Sequence, residues 1–272
     1  MRLCAFGGDA RMLGALNAAK RAGWDTAYIC RETEENDIPK SADALMLPWP
    51  HSFRDGLLVG TQLKKEWILA RLPACRCALH GSGVDAQELS MAERIIEPSE
   101  DETFLQTNAR LTAEGAIARA MSRQGAALLD AVCVITGFGR IGKELAVRLA
   151  AMHAFVVVCA RSEAQMRLAH DMGAHPVPLA EIASACRRAD VIFNTVPAHV
   201  LGKTALERIP ADAMVIELAS PPYGMNIEQA RHMGVSVFVE SGLPGRYAPQ
   251  SAGAALFHAL MRAMDEGGES RG

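Results

Sequence analysis

The segment CVITGFGRIGKELAVRLAAMHAFVVVCAR, residues 133–161, constrains the fold of this chain most. A short apolar run, a glycine turn, a helical stretch with Ile141, Leu145 and Leu149 on one stripe, and a second apolar run follow in order. Apolar residues spaced three to four apart mark a helix with one buried face. Strand, turn, helix and strand in succession form a βαβ unit, which requires a parallel sheet with helices packed on it. Residues 4–31, CAFGGDARMLGALNAAKRAGWDTAYICR, repeat that order, with Leu13, Leu16 and Ala19 as the expected stripe.

Further apolar runs follow each unit. They are 44–47 and 77–79 in the first half, and 191–196, 214–219 and 235–240 in the second, where helical stretches at 163–172 and 179–189 intervene. The expected fold is α/β, with two Rossmann-like parallel-sheet domains joined by helices and a cleft between them. The first domain is expected over 1–108 and the second over 109–250. Asp101 and Glu102 suit a helix start, and 113–129 is rich in helix formers, so a connecting helix is expected there. A last helix over about 251–266 is expected to return to the first domain.

Composition excludes several classes. Half of the 272 residues are hydrophobic and 22% are charged, with a net charge of −3. That balance gives no reason to expect nucleic acid or an anionic membrane as partner. No apolar run is long enough to span a bilayer, and MRLCAFGGDA at the start reads as a strand rather than a leader. The seven Cys are odd in number and lack a CxxC pair, so the reading is a reduced, cytoplasmic protein with no cysteine metal site. Cys75 and Cys77 form the only close pair.

The two glycine turns differ. Gly137-Phe138-Gly139-Arg140-Ile141-Gly142 matches GxGxxG between a strand and a helix. In that pattern the first glycine permits a tight turn, the second admits a pyrophosphate to the backbone, and the third lets helix and strand pack closely. The helix N-terminus adds N–H donors and partial positive charge. The other turn, Gly7-Gly8-Asp9-Ala10-Arg11, puts a carboxylate where an anion would sit. It is read as free of dinucleotide. Asp9 and Arg11 either meet a substrate carboxylate or pair with each other, Asp9 also being a good helix cap.

The strand end after GFGRIG selects the nucleotide. An NAD site expects Asp or Glu there to hold the ribose hydroxyls. This chain offers Arg161 and Ser162, and no acid at 159–162. Arg forms charge-assisted bidentate bonds with phosphate, so the expected cofactor is NADP. The alternative is that Arg161 is a solvated surface residue.

Six motifs, in this order and spacing, make the chain resemble the A subunit of dipicolinate synthase from spore-forming bacteria. They are GGDAR at 7–11, TAEGA at 112–116, GFGRIG with CARS, NTVP at 194–197, ELASPPYG at 217–224 and GLPGRYAPQSAG at 242–253. The resemblance implies oxidation of a dihydrodipicolinate-type intermediate to dipicolinate with NADP, in sporulation, alongside a B subunit. It also implies a cytoplasmic location in the mother cell. A homo-oligomer is expected. The chain departs from the family at Leu111, where the family has Pro. It departs again at Glu217 and Pro221–Gly224, where the family has Asp and Arg-Pro-Gly-Gly.

A dicarboxylate substrate calls for donors at the carboxyl ends of the strands. Candidates are Asp9, Arg11, Ser82, Ser220 and Arg246, with Arg246 read as the clamp of the second half. Thr195, Val196 and Pro197 are expected beside the nicotinamide. Small residues in His80-Gly81-Ser82-Gly83 are expected to leave room for a ligand and offer N–H donors. His80 and Glu114 are the candidate bases. His80 can equally be a structural hydrogen-bonder, and Glu114 can support a helix cap at Thr112. Other readings are a two-domain NADP-dependent dehydrogenase of 2-hydroxy acids, or an NADP-binding regulatory subunit without catalysis.

Overall fold

The computed structural model describes residues 1–124 and 127–269. Two compact units emerge. One combines Met1–Asn108 with Pro244–Gly272, and the other is Ala109–Leu243.

In the first unit, strands β1 (Arg2–Phe6), β2 (Asp25–Ile29) and β3 (Ala44–Met46) are followed by a small hairpin of β4 (Phe53–Arg54) and β5 (Leu57–Leu58). Strands β6 (Cys75–Leu79) and β7 (Ala92–Ile96) complete an all-parallel sheet of order β2-β1-β3-β6-β7. This is a doubly wound order in which the chain changes the side of β1 on which it adds strands, between β2 and β3. Alternate residues of β1 feed two cores. Leu3 and Ala5 pack with helix α1 (Ala10–Arg21), whereas Cys4 and Phe6 pack with Ile29, Leu45, Leu58 and Ile68 of the short helix α2 (Lys65–Leu69). The buried stripe of α1 is Met12, Ala15, Leu16 and Ala19; Leu13, expected in it, is 49% exposed because it sits about 100° round the helix from Met12.

Helix α3 (Glu102–Gln124) runs unbroken across the boundary between the units, so Thr112 is a mid-helix residue and not a cap.

The second unit contains β8 (Val132–Thr136), α4 (Arg140–Ala151), β9 (Phe155–Ala160), α5 (Glu163–Asp171), β10 (His175–Pro178), α6 (Ile182–Cys186) and β11 (Val191–Asn194). It continues with α7 (Lys203–Leu206), β12 (Met214–Glu217), α8 (Ile227–His232) and β13 (Ser236–Val239). The six strands are parallel in the order β10-β9-β8-β11-β12-β13, the Rossmann order, with its reversal between β8 and β11. Cys133 and Ile135 face a core shared with α3 and α4, and Val134 faces the opposite core.

Helices α9 (Leu243–Tyr247) and α10 (Pro249–Glu269) close the chain. The second unit ends at Leu243, so Arg246 belongs to the first unit, not to the second half as expected from sequence. Helix α10 packs on α1 with Leu256, Phe257 and Leu260 buried, each worth about 1.5–3 kcal/mol of burial. The backbones nearly touch: a methyl group at Gly253 would lie 2.1 Å from the Arg11 carbonyl oxygen. The two-domain Rossmann-like α/β class expected from the βαβ repeats is the fold observed.

Candidate functional site

The reversal point of the second sheet is built by the glycine turn. Gly137 has φ +83, a conformation that L side chains rarely adopt, and donates its N–H to Cys159 O. A Cβ at Gly142 would stand 2.4 Å from the Gly137 carbonyl oxygen, so this glycine is needed for packing. Gly139 is the N-cap of α4 at φ −82, and among the described residues no heavy atom beyond its chain neighbours comes within 4 Å of a Cβ built there. Its backbone therefore faces open space at a helix N-terminus that no side chain caps. By contrast α1 is capped by the Asp9 side chain and α5 by that of Ser162. This geometry fits a pyrophosphate. Phe138 is buried in the core, while Arg140 is exposed and Ile141 half-buried on the first turn of α4.

Arg161 is exposed directly after β9. Ser162 accepts the Gln165 N–H at 3.2 Å, which leaves its own hydroxyl proton to give. Thr195 and Val196 lie against the turn: a Cβ at Gly137 would meet their side chains at 2.9 and 2.6 Å. Thr195 also donates its hydroxyl to Thr136 O at 2.7 Å. Pro197 continues this loop, and Ser220 is exposed in the loop after β12.

Below these loops sits a buried polar network centred on Asn194, which the sequence offers either as a cofactor contact or as a group that satisfies the strand end. Thr136 donates its hydroxyl to Asn194 Oδ1. Asn194 donates from Nδ2 to Glu217 Oε1 at 2.6 Å and to Val196 O at 3.1 Å. Glu217, with 0% exposure, also accepts the Ala219 and Gly224 N–H groups, each at 2.9 Å. Burial pushes the Glu217 carboxyl above its ordinary range, while those three donors pull the other way.

The first unit's turn is closed. Gly8 N–H is taken by Val59 O at 2.6 Å, and a Cβ at Gly60 would lie 2.0 Å from Gly8 O. Asp9 caps α1 and holds the Arg11 guanidinium at 2.8 Å. Burial raises the Asp9 carboxyl, but hydrogen bonds and charge from Arg11 outweigh it and leave it below the usual carboxylate range. Gly245 of α9 packs over this pair, 3.0 Å from Arg11 Nε if it carried a Cβ, so the structure brings Asp9 and Arg11 together beneath the helix that carries Arg246.

One expectation is corrected here. The glycines of His80–Gly83 make room for the chain itself, not for a ligand. A Cβ at Gly81 would lie 2.5 Å from Pro50 O and one at Gly83 2.4 Å from Phe53 O. The Gly81 and Ser82 N–H groups are used by Ser52 Oγ and Pro50 O. Ser82 Oγ lies 2.6 Å from His51 Nδ1, a partner that sequence reading missed. His80 Nδ1 lies 2.9 Å from Gly81 O. Glu114 is 56% exposed and pairs with Arg148 near the far end of α4. Arg148 itself stands nine residues after Gly139, at 1.5 Å rise per residue about 13.5 Å along the chain's helix.

Among the described residues no cluster of three or more His, Cys, Asp or Glu could hold a metal, and no helix is long and apolar enough to cross a membrane. Cys75 and Cys77 are buried, and burial pushes their thiols up to about 12 and about 11.

Residues 103–221 match the family of D-isomer specific 2-hydroxyacid dehydrogenases, NAD binding domain. The A subunit of dipicolinate synthase from Bacillus subtilis (strain 168) is 26% identical over 98% of this chain and 96% of its own length. Over its whole length this chain is similar to that protein. The crystal structure of the same subunit from Bacillus halodurans superimposes with a TM-score of 0.79 at 26% identity, covering 97% of each chain. The Bacillus subtilis structure gives 0.80 at 25% identity, covering 98% of this chain and 96% of its own. The resemblance drawn from the motifs is thus borne out, and the fold and the match over 103–221 support a dehydrogenase-like role with a nicotinamide cofactor.

Proposed function

We propose that this chain oxidises a dihydrodipicolinate-type intermediate to dipicolinate, pyridine-2,6-dicarboxylate, with NADP. It acts as the A subunit of a dipicolinate synthase in the cytoplasm of a sporulating cell, with a B subunit for its partner. The reading is carried by end-to-end similarity to the dipicolinate synthase A subunits in a chain whose Gly137–Gly142 turn is intact.

The Gly137–Gly142 turn and the N-terminus of α4 would hold the pyrophosphate. Arg161 and the Ser162 hydroxyl would hold a 2′-phosphate, since charge-assisted donors suit it and no acid stands at 159–162 to repel it. Thr195, Val196 and Pro197 would border the nicotinamide, which when bound supplies the hydride acceptor. Aromatisation of the ring drives the reaction, so this chain's task is to orient the substrate and remove a proton. Arg246, Arg11 and Ser220 are the proposed carboxylate contacts, with Asp9 holding Arg11 in place. His80 is the proposed base. The Gly81 carbonyl can only accept, so it fixes the proton on Nδ1 and leaves the Nε2 lone pair to take one.

The test is to generate the dihydropyridine with a coupled synthase, add the chain and NADP, and follow pyridine absorbance with and without the B subunit. Dipicolinate in either mixture supports the reading. NADP binding without oxidation in both mixtures overturns the enzyme assignment and leaves a regulatory role. The match of 103–221 to the 2-hydroxyacid dehydrogenase domain supports a second reading, oxidation of a 2-hydroxy acid. NADP reduction by 2-hydroxy acids in place of the dihydropyridine would select it.

A further inference from the structure

The chain ends β8, β11 and β12 with polar residues that meet below the loops of the dinucleotide unit. Thr136 leads directly into Gly137, Asn194 into Thr195–Pro197, and Glu217 into 218–224. A fully buried carboxylate is costly unless its lone pairs are used. Here the hydrogen bonds balance. The Asn194 carbonyl takes the Thr136 hydroxyl and the Val196 N–H, and its amide gives to Val196 O and Glu217 Oε1. Glu217 takes two more protons, from Ala219 N and Gly224 N. All three groups facing Glu217 are donors, so a side chain that only accepts satisfies them all. The fit at Gly224 is equally tight, because a Cβ there would stand 2.4 Å from the Asn194 amide nitrogen.

A support for the sheet alone would not need this arrangement, since apolar residues of similar volume stabilise such a position as well or better. The network instead fixes the path of two loops. We infer that Glu217 is a positioning residue that, through Asn194 and the Ala219 and Gly224 N–H groups, holds loops 195–197 and 219–224 in the conformation that receives the nicotinamide end of the cofactor. This rests on the dinucleotide reading above and names which residues shape one end of that site.

The test uses the full-length chain and two ligands, NADPH and 2′-phospho-ADP-ribose, which lacks the nicotinamide ring. Glu217→Gln keeps the size of the side chain but turns one acceptor into a donor that faces a donor. Dissociation constants for both ligands are measured for wild type and variant. The expected result is a loss of about tenfold or more for NADPH, with less than about twofold for 2′-phospho-ADP-ribose. Equal loss for both ligands marks Glu217 as a general structural support and overturns the inference, as does no loss for either. Wild type that binds neither ligand would overturn the cofactor reading itself, a separate result. Gly224→Ala, which pushes the Asn194 amide off Glu217, should show the same selective loss and carries the test if the first variant does not fold.

Discussion

Two alanine substitutions three residues apart should separate the functional from the structural glycine of the turn. In Gly142→Ala the new methyl group meets the Gly137 carbonyl oxygen at 2.4 Å, about 1 Å inside a normal C···O contact of roughly 3.3–3.6 Å. Both partners are backbone, so helix and strand must part, at a cost of about 1–3 kcal/mol. For a unit of this size that is a fall of about 4–11 °C in melting midpoint. In Gly139→Ala the methyl group enters open space at φ −82, which alanine tolerates, so folding should change by less than about 1 kcal/mol. The methyl group does obstruct an anion at the helix N-terminus. Loss of one or two charge-assisted hydrogen bonds at about 1.5–3 kcal/mol each should weaken NADPH binding by roughly 100-fold. Thermal unfolding without ligand and fluorescence titration with NADPH read the two effects separately. Wild-type affinity in Gly139→Ala would refute the pyrophosphate cradle, whatever Gly142→Ala does.

Three further outcomes are expected. Arg161→Asp should reverse the preference for NADP over NAD in paired titrations; an unchanged ratio would make Arg161 a solvated strand end. Asp9→Asn keeps a good cap but loses the charge interaction with Arg11. Since the Asp9 carboxyl is held low in the folded chain, wild type should exceed the variant in stability above about pH 4, the unfolded carboxylate value. That advantage should vanish as pH falls through the depressed folded value, and pH-dependent urea melts would expose a constant difference. Six thiols are buried, with Cys133, Cys159 and Cys186 pushed up to about 12. Only half-buried Cys30, which donates to Glu32 at 3.1 Å, should react promptly with an aromatic disulfide reagent in the native protein, and rapid reaction of a second thiol would contradict the packing.

The βαβ units and the glycine turn were legible because they rest on local patterns: apolar spacing, glycines at fixed offsets, and a strand end some twenty residues on. What escaped reading depends on partners distant in sequence. His51 and Ser82 are 31 residues apart, and Glu114 and Arg148 are 34 apart, so neither pairing leaves a periodic trace. Asn194 and Glu217 end apolar strands as solvated polar residues also do, and only the sheet order shows that they meet. The Leu243–Pro244 boundary carries no change in composition, which is why Arg246 was read into the wrong unit. His80–Gly83 was misread because small residues suit both a ligand and a close-packed neighbouring chain.

The pairing of α1 with α10 has a consequence for synthesis. A ribosome releases β1–β7 before the second unit, yet the helix that covers Leu3, Ala5, Leu16 and Ala19 emerges after it. The dinucleotide unit, encoded without interruption from 109 to 243, has all of its strands outside the tunnel before then. The unit whose strands are made first is therefore completed after the other. Until α10 emerges, its sheet waits with one apolar face partly bare, a natural point of attack for chaperones and proteases.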